Sequence, residues 1–222
     1  MFDHISPKYD FLNRLLSFGI DQQWRRKALK MLAPYKPEHL LDMATGTGDI
    51  AFMAHEVLHP KQITAVDLSE GMLQIARKKA EEKKLTHISF TKGDSENLPF
   101  EDNNFDAAIV SFGVRNFENV LQGLSELNRT LKPNKPLVVL EFSKPNKFPI
   151  KQLYGFYSKY ILPTIGSSIS RSKEAYSYLP DSVNAFPEGE NFIALMDKAG
   201  FKNNSQTRLL GGICTIYKGE KN

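Results

Sequence analysis

The sequence predicts an α/β protein whose core is a mostly parallel, seven-stranded sheet with an antiparallel edge strand. Three observations indicate this class. Strands alternate with helices from residue 37 onward, a glycine-rich loop follows the first strand, and a short link joins the last two strands. Strand–helix alternation is typical of a parallel sheet with helices on both faces, and two strands with a short link form an antiparallel hairpin.

Length and composition restrict what the protein can be. Its 222 residues fit one domain, and 41% hydrophobic with 24% charged residues is an ordinary globular composition. A single cysteine, Cys214, excludes an internal disulfide and favours a reducing compartment. No stretch reaches the roughly 18 apolar residues of a membrane span, no signal pattern opens the chain, and a net charge of +4 is too small for a nucleic-acid tail. We therefore expect a cytoplasmic protein without a nucleic-acid partner.

Residues 1–36 are predicted to form N-terminal helices. The stretches FLNRLLSF and WRRKALKML have helical apolar spacing, a turn is expected at Phe18-Gly19, and Pro34 and Pro37 end the region.

Residues 37–144 form the predicted core of the fold. Its strands are HLLDMA, QITAVDL, HISFTKG, FDAAIVSF and PLVVLEFS. Its helices are Asp49 to about His59, stopped by Pro60, then EGMLQIARKKAEEKK and NVLQGLSELNRTL.

The rest of the chain departs from this rhythm. Residues 145–190 are aromatic, serine-rich and punctuated by prolines, and we interpret them as an inserted cap over the site. Residues 191–222 hold a C-terminal helix, which starts near GENFIALMDKAG, and two edge strands near KNNSQTRLL and ICTIYKG. The whole chain, residues 1–222, is predicted to be a single domain.

Polar residues follow four of the predicted strands. In open parallel sheets, ligands bind outside the carboxyl ends of the strands, so these positions are the functional candidates. Any one of them can be a helix cap or turn residue, but all four together favour a site. They are Asp42 to Asp49 after the first strand, Asp67 after the second, Gly93-Asp94-Ser95 after the third, and Ser111 to Asn116 after the fourth.

The loop after the first strand has the glycine spacing of a dinucleotide fingerprint. Gly46 and Gly48 begin the pattern, and Asp67 lies 21 residues after Gly46, where an acid that binds ribose is expected. A pyrophosphate would bind at the N-terminus of the following helix, where Asp49 stands, with Asp42 just before the loop. Two carboxylates repel a pyrophosphate and suit a ligand that carries an ammonium and a sulfonium.

The charges therefore favour S-adenosylmethionine over NAD as the cofactor. Asp67 would bind the ribose hydroxyls in either case, and Asp94 and Ser95 would face the adenine edge. An NAD-dependent oxidoreductase is the alternative from another enzyme class.

A second motif, HEVLH at residues 55–59, matches the HExxH zinc-protease signature. It ends its helix at Pro60, far from the carboxyl ends of the strands, and the downstream His87 opens a strand. We therefore expect a helix end and no metal site here. Cys214 has no histidine partner in any motif and is predicted to be a buried strand residue.

Five stretches together resemble the menaquinone/ubiquinone biosynthesis C-methyltransferase family, and the resemblance covers nearly the whole chain. They are YDFLNRLLSFGIDQQW (9–24), DMATGTGD (42–49), FGVRNF (112–117), RTLKPNKPLVVLEFS (129–143) and AYSYLPDSVNAFPEGE (175–190). The chain departs from the family pattern at Leu12 (usually Met), Asp21 (usually His), Asn134-Lys135 (usually Gly-Gly) and Gly189 (usually Gln). The Asp21 and Gly189 changes are expected to affect the cap or the substrate entrance. Relatives often have a longer segment before the first stretch, so a truncated start is one interpretation.

The resemblance implies the Rossmann-like fold of class I S-adenosylmethionine-dependent methyltransferases and methyl transfer to a ring carbon of a polyprenylated quinol. The first candidate substrate is 2-demethylmenaquinol. The alternatives are the 2-methoxy-6-polyprenyl-1,4-benzoquinol of the ubiquinone pathway, a sterol-like lipid, or a small phenol. The cofactor positions that the resemblance implies are Thr47, Asp67, Asp94-Ser95 and Ser111.

The chemistry needs a group that stabilises a phenolate, because loss of a ring hydroxyl proton makes the adjacent carbon nucleophilic. Arg115 can hold the phenolate and polarise a water, and Asn116 can position the same oxygen or water. Tyr9, on the N-terminal helices, is the third candidate, as pocket wall or proton relay.

The predicted cap is unusually rich in large apolar side chains, which suit a prenyl tail: Leu153, Tyr154, Phe156, Tyr157, Tyr160, Ile161 and Leu162. Lys147, Lys151 and Lys159 can meet anionic lipid headgroups. We therefore expect peripheral contact with the inner face of the membrane; a homodimer is left open.

Overall fold

The computed structural model describes residues 17, 19–156 and 180–222, in which seven strands form one sheet. The strands are β1 (His39–Met43), β2 (Gln62–Asp67), β3 (Ile88–Lys92), β4 (Ala107–Ser111), β5 (Pro136–Phe142), β6 (Phe201–Leu209) and β7 (Cys214–Lys221). Their order across the sheet is β3-β2-β1-β4-β5-β7-β6. The first five pair in parallel, and β7 pairs antiparallel with both β5 and β6, which confirms the predicted edge hairpin.

In the described part of the chain, six α-helices with defined bounds lie around this sheet: α1 (Ile20–Lys30), α2 (Asp49–Leu58), α3 (Glu70–Glu82), α4 (Val120–Thr130), α5 (Ile150–Phe156) and α6 (Glu190–Lys198). Residues 180–185 are also helical. Side-chain caps fix two of the starts, because Ser69 accepts a hydrogen bond from the N–H of Met72 and Asn119 accepts one from that of Gln122.

The hydrophobic core lies on both faces of the sheet. Along β4, Ile109 packs in one cluster and Val110 in the other, because successive strand side chains point to opposite faces. Leu29 of α1 and α2 residues such as Ile50 cover the first face. The second face carries α4 and α6, through residues such as Leu124, Phe192 and Met196.

The carboxyl ends of β1 and β4 form the crevice that positions the site. These two strands are neighbours, and the chain leaves them in opposite directions, toward β2 and toward β5, which is where open α/β sheets bind ligands. The two following loops touch there. A Cβ added to Gly113 would lie 2.4 Å from Cβ of Ala44, so only glycine fits.

The predicted cap is described only at its two ends. Ile150 at the start of α5 packs against Gly211, where an added Cβ would lie 2.2 Å from Cδ1 of Ile150. The predictions for Tyr9, Tyr157, Lys159, Tyr160, Ile161 and Leu162, and for the side chain of Phe156, lie outside the described residues. In the described ranges, no helix is both long enough and apolar enough to cross a membrane.

Candidate active site

A buried carboxylate ends β1 at the edge of the crevice. Asp42 is 1% exposed, and its Oδ2 accepts a hydrogen bond from Oγ1 of Thr45 at 2.6 Å. Its Oδ1 is buried and has no hydrogen-bond partner. Burial raises the pKa of Asp42 to about 7, an effect that the Thr45 hydroxyl and the charge of Arg25 oppose. A buried polar atom without a partner is costly, so this oxygen fits a ligand that donates to it, such as the ammonium of the predicted cofactor.

The glycine loop is tied to the carboxylate that ends β2. The N–H of Gly46 donates to Oδ2 of Asp67 at 2.7 Å, and the N–H of Ser69 donates to Oδ1 at 2.9 Å. Gly46 and Gly48 have φ angles of 58° and 88°, in the left-handed region that favours glycine. These two bonds hold the Asp67 carboxylate at the end of β2, the position that the sequence analysis assigned to the ribose. Thr47 lies between these glycines and is buried.

One part of the charge argument changes in the structure. Nζ of Lys79, on α3, lies 3.8 Å from Oδ1 of Asp49 and donates to the carbonyl oxygen of Thr47 at 3.2 Å. This lysine compensates the charge of Asp49, and the sequence analysis did not foresee it because the two residues lie on different helices. The preference for a cationic ligand therefore depends mainly on Asp42.

The loop after β3 lies beside Asp67. The N–H of Gly93 donates to the carbonyl oxygen of Asp67 at 3.1 Å, which joins the two loops. Asp94 is exposed and Ser95 is buried. Leu68, which the sequence analysis did not single out, is a large apolar side chain that is 65% exposed next to Asp67.

The end of β4 is joined to the N-terminal helix through a buried arginine. Nη1 of Arg25 lies 3.4 Å from Oγ of Ser111, and the guanidinium carbon lies 5.2 Å from the centre of the Phe112 ring. Phe112 has a φ of 58°, a left-handed conformation that is strained for a bulky residue and persists where the surroundings impose it. Sequence analysis identified Ser111 but not Arg25.

Arg115 forms a buried ion pair that the sequence analysis missed. Its Nη1 lies 2.8 Å from Oε1 of Glu141, and the exposed fractions of the two side chains are 7% and 0%. Nη1 also donates to the carbonyl oxygen of Phe112, and Nε donates to Oγ of Ser182. No hydrogen bond joins Nη2 to the described residues, so this end of the guanidinium remains for a ligand.

Two cap residues approach the same guanidinium. Ser182 belongs to the helical residues 180–185, and its contact with Arg115 brings the end of the cap to the site. Burial raises the pKa of Tyr154 on α5, and the charge of Arg115 opposes that shift, so the phenol lies within electrostatic reach. Asn116 ends a short 3₁₀ turn, Val114–Asn116, directly after Arg115.

The HEVLH segment lies at the end of α2 that is far from the carboxyl ends of the parallel strands. Nδ1 of His55 lies 3.0 Å from Nε2 of His87, a contact between two ring nitrogens that the strand position of His87 did not predict. The ring of His59 is 6.4 Å from that of His55. Among the residues that the structure describes, no group of three or more His, Cys, Asp or Glu side chains is arranged to hold a metal ion.

Comparison with known proteins places this geometry among methyltransferases. The sequence profile of the ubiE/COQ5 methyltransferase family matches residues 1–221. A demethylmenaquinone methyltransferase of Bacteroides fragilis is 47% identical over 222 residues, which is 100% of this chain and 91% of that protein. The ubiquinone/menaquinone biosynthesis C-methyltransferase UbiE of Geotalea uraniireducens is 45% identical over 223 residues, with 100% and 94% covered. A solved SAM-dependent methyltransferase of Thermotoga maritima has the same fold, with a TM-score of 0.68, 20% identity, and 100% and 98% covered.

Proposed function

Because the chain belongs to the ubiE/COQ5 methyltransferase family, we propose that it methylates a ring carbon of a polyprenylated quinol with S-adenosylmethionine. The observation that carries this proposal is a cofactor loop beside the buried carboxylate of Asp42, whose Oδ1 has no hydrogen-bond partner, in the same crevice that holds the guanidinium of Arg115. The first site suits a cationic methyl donor, and the second suits an oxygen that becomes negative during the reaction.

The preferred substrate is 2-demethylmenaquinol. The Bacteroides fragilis relative, at 47% identity, is named for demethylmenaquinone alone, whereas the Geotalea uraniireducens relative is named for both quinone pathways. The ubiquinone-pathway benzoquinol is therefore the second candidate.

The residues of the site support this chemistry in separate ways. S-adenosylmethionine, when bound, supplies a methyl group on a sulfonium. Asp67, Asp94 and Ser95 would hold its adenosine, and Thr47 and Ser111 would lie toward its methionine end. Holding two reactants in line supplies much of the acceleration.

Arg115 and Asn116 act on the acceptor. Nη2 of Arg115 would donate to the quinol oxygen and stabilise its charge as the hydroxyl proton passes to solvent through a water that Asn116 positions. Once the methyl group is attached, the ring carbon loses its own proton to solvent, which restores the aromatic ring. Glu141 keeps the guanidinium in place, because the pair is buried and Nη1 is held at 2.8 Å. Tyr9 remains a proposed third group of this site.

The decisive experiment compares quinones in cells with and without the protein. Mass spectrometry of a deletion strain should show the demethyl quinone accumulating, and the purified protein should methylate demethylmenaquinol faster than the ubiquinone-pathway benzoquinol. An unchanged quinone profile in the deletion strain would contradict the proposed function.

We also propose that the start of α5 contacts the membrane. Phe148, Leu153 and Leu210 are large apolar side chains that are 82%, 66% and 50% exposed. Phe148 and Leu153 flank Ile150, which packs against Gly211, the neighbour of Leu210. Lys147 and Lys151 are exposed beside them, and each basic residue near an anionic surface contributes about 1 kcal/mol. Such a surface suits an enzyme whose substrate carries a prenyl tail.

Co-sedimentation with vesicles tests this contact. Wild-type protein should bind vesicles that contain anionic lipid, and Lys147→Glu with Lys151→Glu should weaken that binding by at least about 30-fold, because two favourable contacts are lost and two repulsive ones are added. Lys61→Glu with Lys83→Glu makes the same change in charge at the opposite edge and should have a smaller effect. Equal losses in both double variants would indicate a non-specific effect of net charge.

A further inference from the structure

Arg25 is the one strongly basic side chain that α1 buries at the crevice. It is 8% exposed, and its Nη1 lies 3.4 Å from Oγ of Ser111 at the carboxyl end of β4. Its guanidinium stacks against Phe112, 5.2 Å from the ring centre, in the loop that touches the glycine loop. The helix before the sheet therefore places a fixed positive charge in the gap between β1 and β4.

The surroundings of Arg25 hold it and leave part of it available. Nε lies 3.4 Å from Oδ2 of Asp21, which is itself buried and also accepts from Ser17 at 2.6 Å. Nη2 makes no hydrogen bond to the described residues. An arginine that is oriented through Nε and Nη1 presents the other N–H groups as a fork, the geometry that matches a carboxylate.

A second buried charge of opposite sign lies close by. The positive charge of Arg25 lowers the pKa of Asp42, so the two groups interact across the crevice. Oδ1 of Asp42 is buried without a partner. Asp42 offers an acceptor oxygen, and the guanidinium of Arg25 offers N–H donors. Together they match a ligand that carries an ammonium and a carboxylate on the same carbon.

The methionine end of the cofactor is such a group. We propose that Arg25 binds the carboxylate of the S-adenosylmethionine methionine moiety through Nη2, while Asp42 accepts from its ammonium. Asp21 is then a positioning residue that holds the guanidinium from the other side. This assignment makes α1 part of the cofactor site. It also gives a role to the buried Asp21–Arg25 pair, which the glycine loop does not explain. It rests on S-adenosylmethionine being the cofactor.

Isothermal titration of two ligands against the wild type and Arg25→Met tests the assignment. S-adenosylhomocysteine carries the carboxylate, and its decarboxylated analogue keeps the amine and lacks the carboxylate. Arg25→Met should weaken S-adenosylhomocysteine about 10- to 100-fold, the range expected for an unmade hydrogen bond between charged groups. The analogue should bind the wild type and Arg25→Met equally, within about threefold, because it never makes the contact.

Arg26→Met is the matched control, since Arg26 is the next residue on α1 and its side chain is 51% exposed. It should leave the affinities for both ligands unchanged. Arg25→Met leaves Asp21 buried without its cation, so Asp21→Asn with Arg25→Met is measured beside it, with thermal unfolding to confirm the fold. The double variant should show the same selective loss.

Three outcomes separate the explanations. Wild-type affinity for S-adenosylhomocysteine in both Arg25 variants would overturn the assignment. Equal losses for both ligands would also overturn it, because a purely structural role would not distinguish them. If the wild-type protein fails to bind S-adenosylhomocysteine at all, the cofactor assignment fails first, and with it the proposed function.

Discussion

Individual charged residues around the crevice are buried in pairs, with one exception. Asp21 pairs with Arg25, and Arg115 pairs with Glu141. Burying an ion is costly unless a partner compensates for it, and both arginines have one. Asp42 has a hydroxyl donor on one oxygen and no partner on the other. The buried carboxylate without an ion-pair partner in direct contact is therefore the one assigned to a cationic ligand.

Arg115→Lys is expected to lower kcat about 100-fold, the scale of one lost charge-stabilising donor. Lysine keeps a positive charge opposite Glu141, so the fold should survive, but it lacks the planar fork whose Nη2 we assign to the quinol oxygen. The charge on that oxygen develops in the transition state, so its loss appears in turnover. Steady-state methyl transfer to a short-tail demethylquinol measures it.

Cofactor affinity provides the control for Arg115→Lys. It should stay within about threefold of the wild type, because Arg115 is assigned to the acceptor side. If kcat is unchanged and only cofactor binding is lost, Arg115 belongs to the cofactor pocket instead.

Asp42→Asn is expected to change the pH dependence of stability in the absence of cofactor. The carboxyl has an ordinary pKa of 3.8, and burial raises it to about 7 in the folded protein. Between these values the folded state holds a proton that the unfolded state has lost, so stability falls as the pH rises through this window. Asparagine avoids this loss, so the variant should have a higher Tm than the wild type at about pH 8. Its advantage should shrink toward about pH 5, and an advantage that grows on acidification would contradict the buried-carboxylate assignment.

At the scale of single elements, the direction of α2 decides which of its two motifs lies near the candidate site. Gly48 of the glycine loop is its N-cap, and the helix ends at Leu58, before His59, whose φ of 52° is left-handed. Its N-terminus therefore faces the carboxyl ends of the strands, and HEVLH lies one helix length away. The same helix carries a cofactor motif at one end and a surface histidine pair at the other.

Replacing both His55 and His59 by alanine should leave methyl transfer within about threefold of the wild type, because the pair lies outside the crevice. The expected cost is in stability, since His55 contacts His87 at 3.0 Å and joins α2 to the start of β3. The measurements are steady-state activity, thermal unfolding and metal analysis. Stoichiometric zinc, together with loss of activity on adding a chelator, would contradict the interpretation of HEVLH as a helix end without a metal site.

At the scale of the whole molecule, segments that come before and after the core in the sequence meet at the carboxyl ends of the parallel strands. Arg25 comes from α1, Ser182 from residues 180–185, and Arg115 and Glu141 from the ends of β4 and β5. A ligand bound between them contacts elements that are far apart in sequence. Binding should therefore stabilise the folded molecule as a unit.

S-adenosylhomocysteine at about 100 times its Kd should stabilise the fold by about 2.7 kcal/mol. For a chain of this size that corresponds to a rise in Tm of about 5 to 10 °C. NAD at the same concentration is the matched control and should leave Tm unchanged. A rise with NAD alone would instead support the dinucleotide-binding alternative.

The sequence by itself determined the seven strands, the two-strand antiparallel edge, the glycine loop and the polar residues after four of the parallel strands. These features are local, because periodicity, proline and glycine act within a few residues, and the carboxyl ends of parallel strands always meet at one edge. The positions of Asp42, Asp67, Asp94 and Ser111 follow from that rule.

Only the tertiary structure decided which side chains meet across that edge. Arg115 and Glu141 are 26 residues apart, Arg25 and Ser111 are 86 apart, and His55 and His87 are 32 apart. Lys79 compensates Asp49 from another helix. No local pattern encodes such pairs, because each depends on how helices pack on the sheet. Burial then decides their chemistry, as it does for Asp42, whose pKa the sequence alone would leave near its ordinary value.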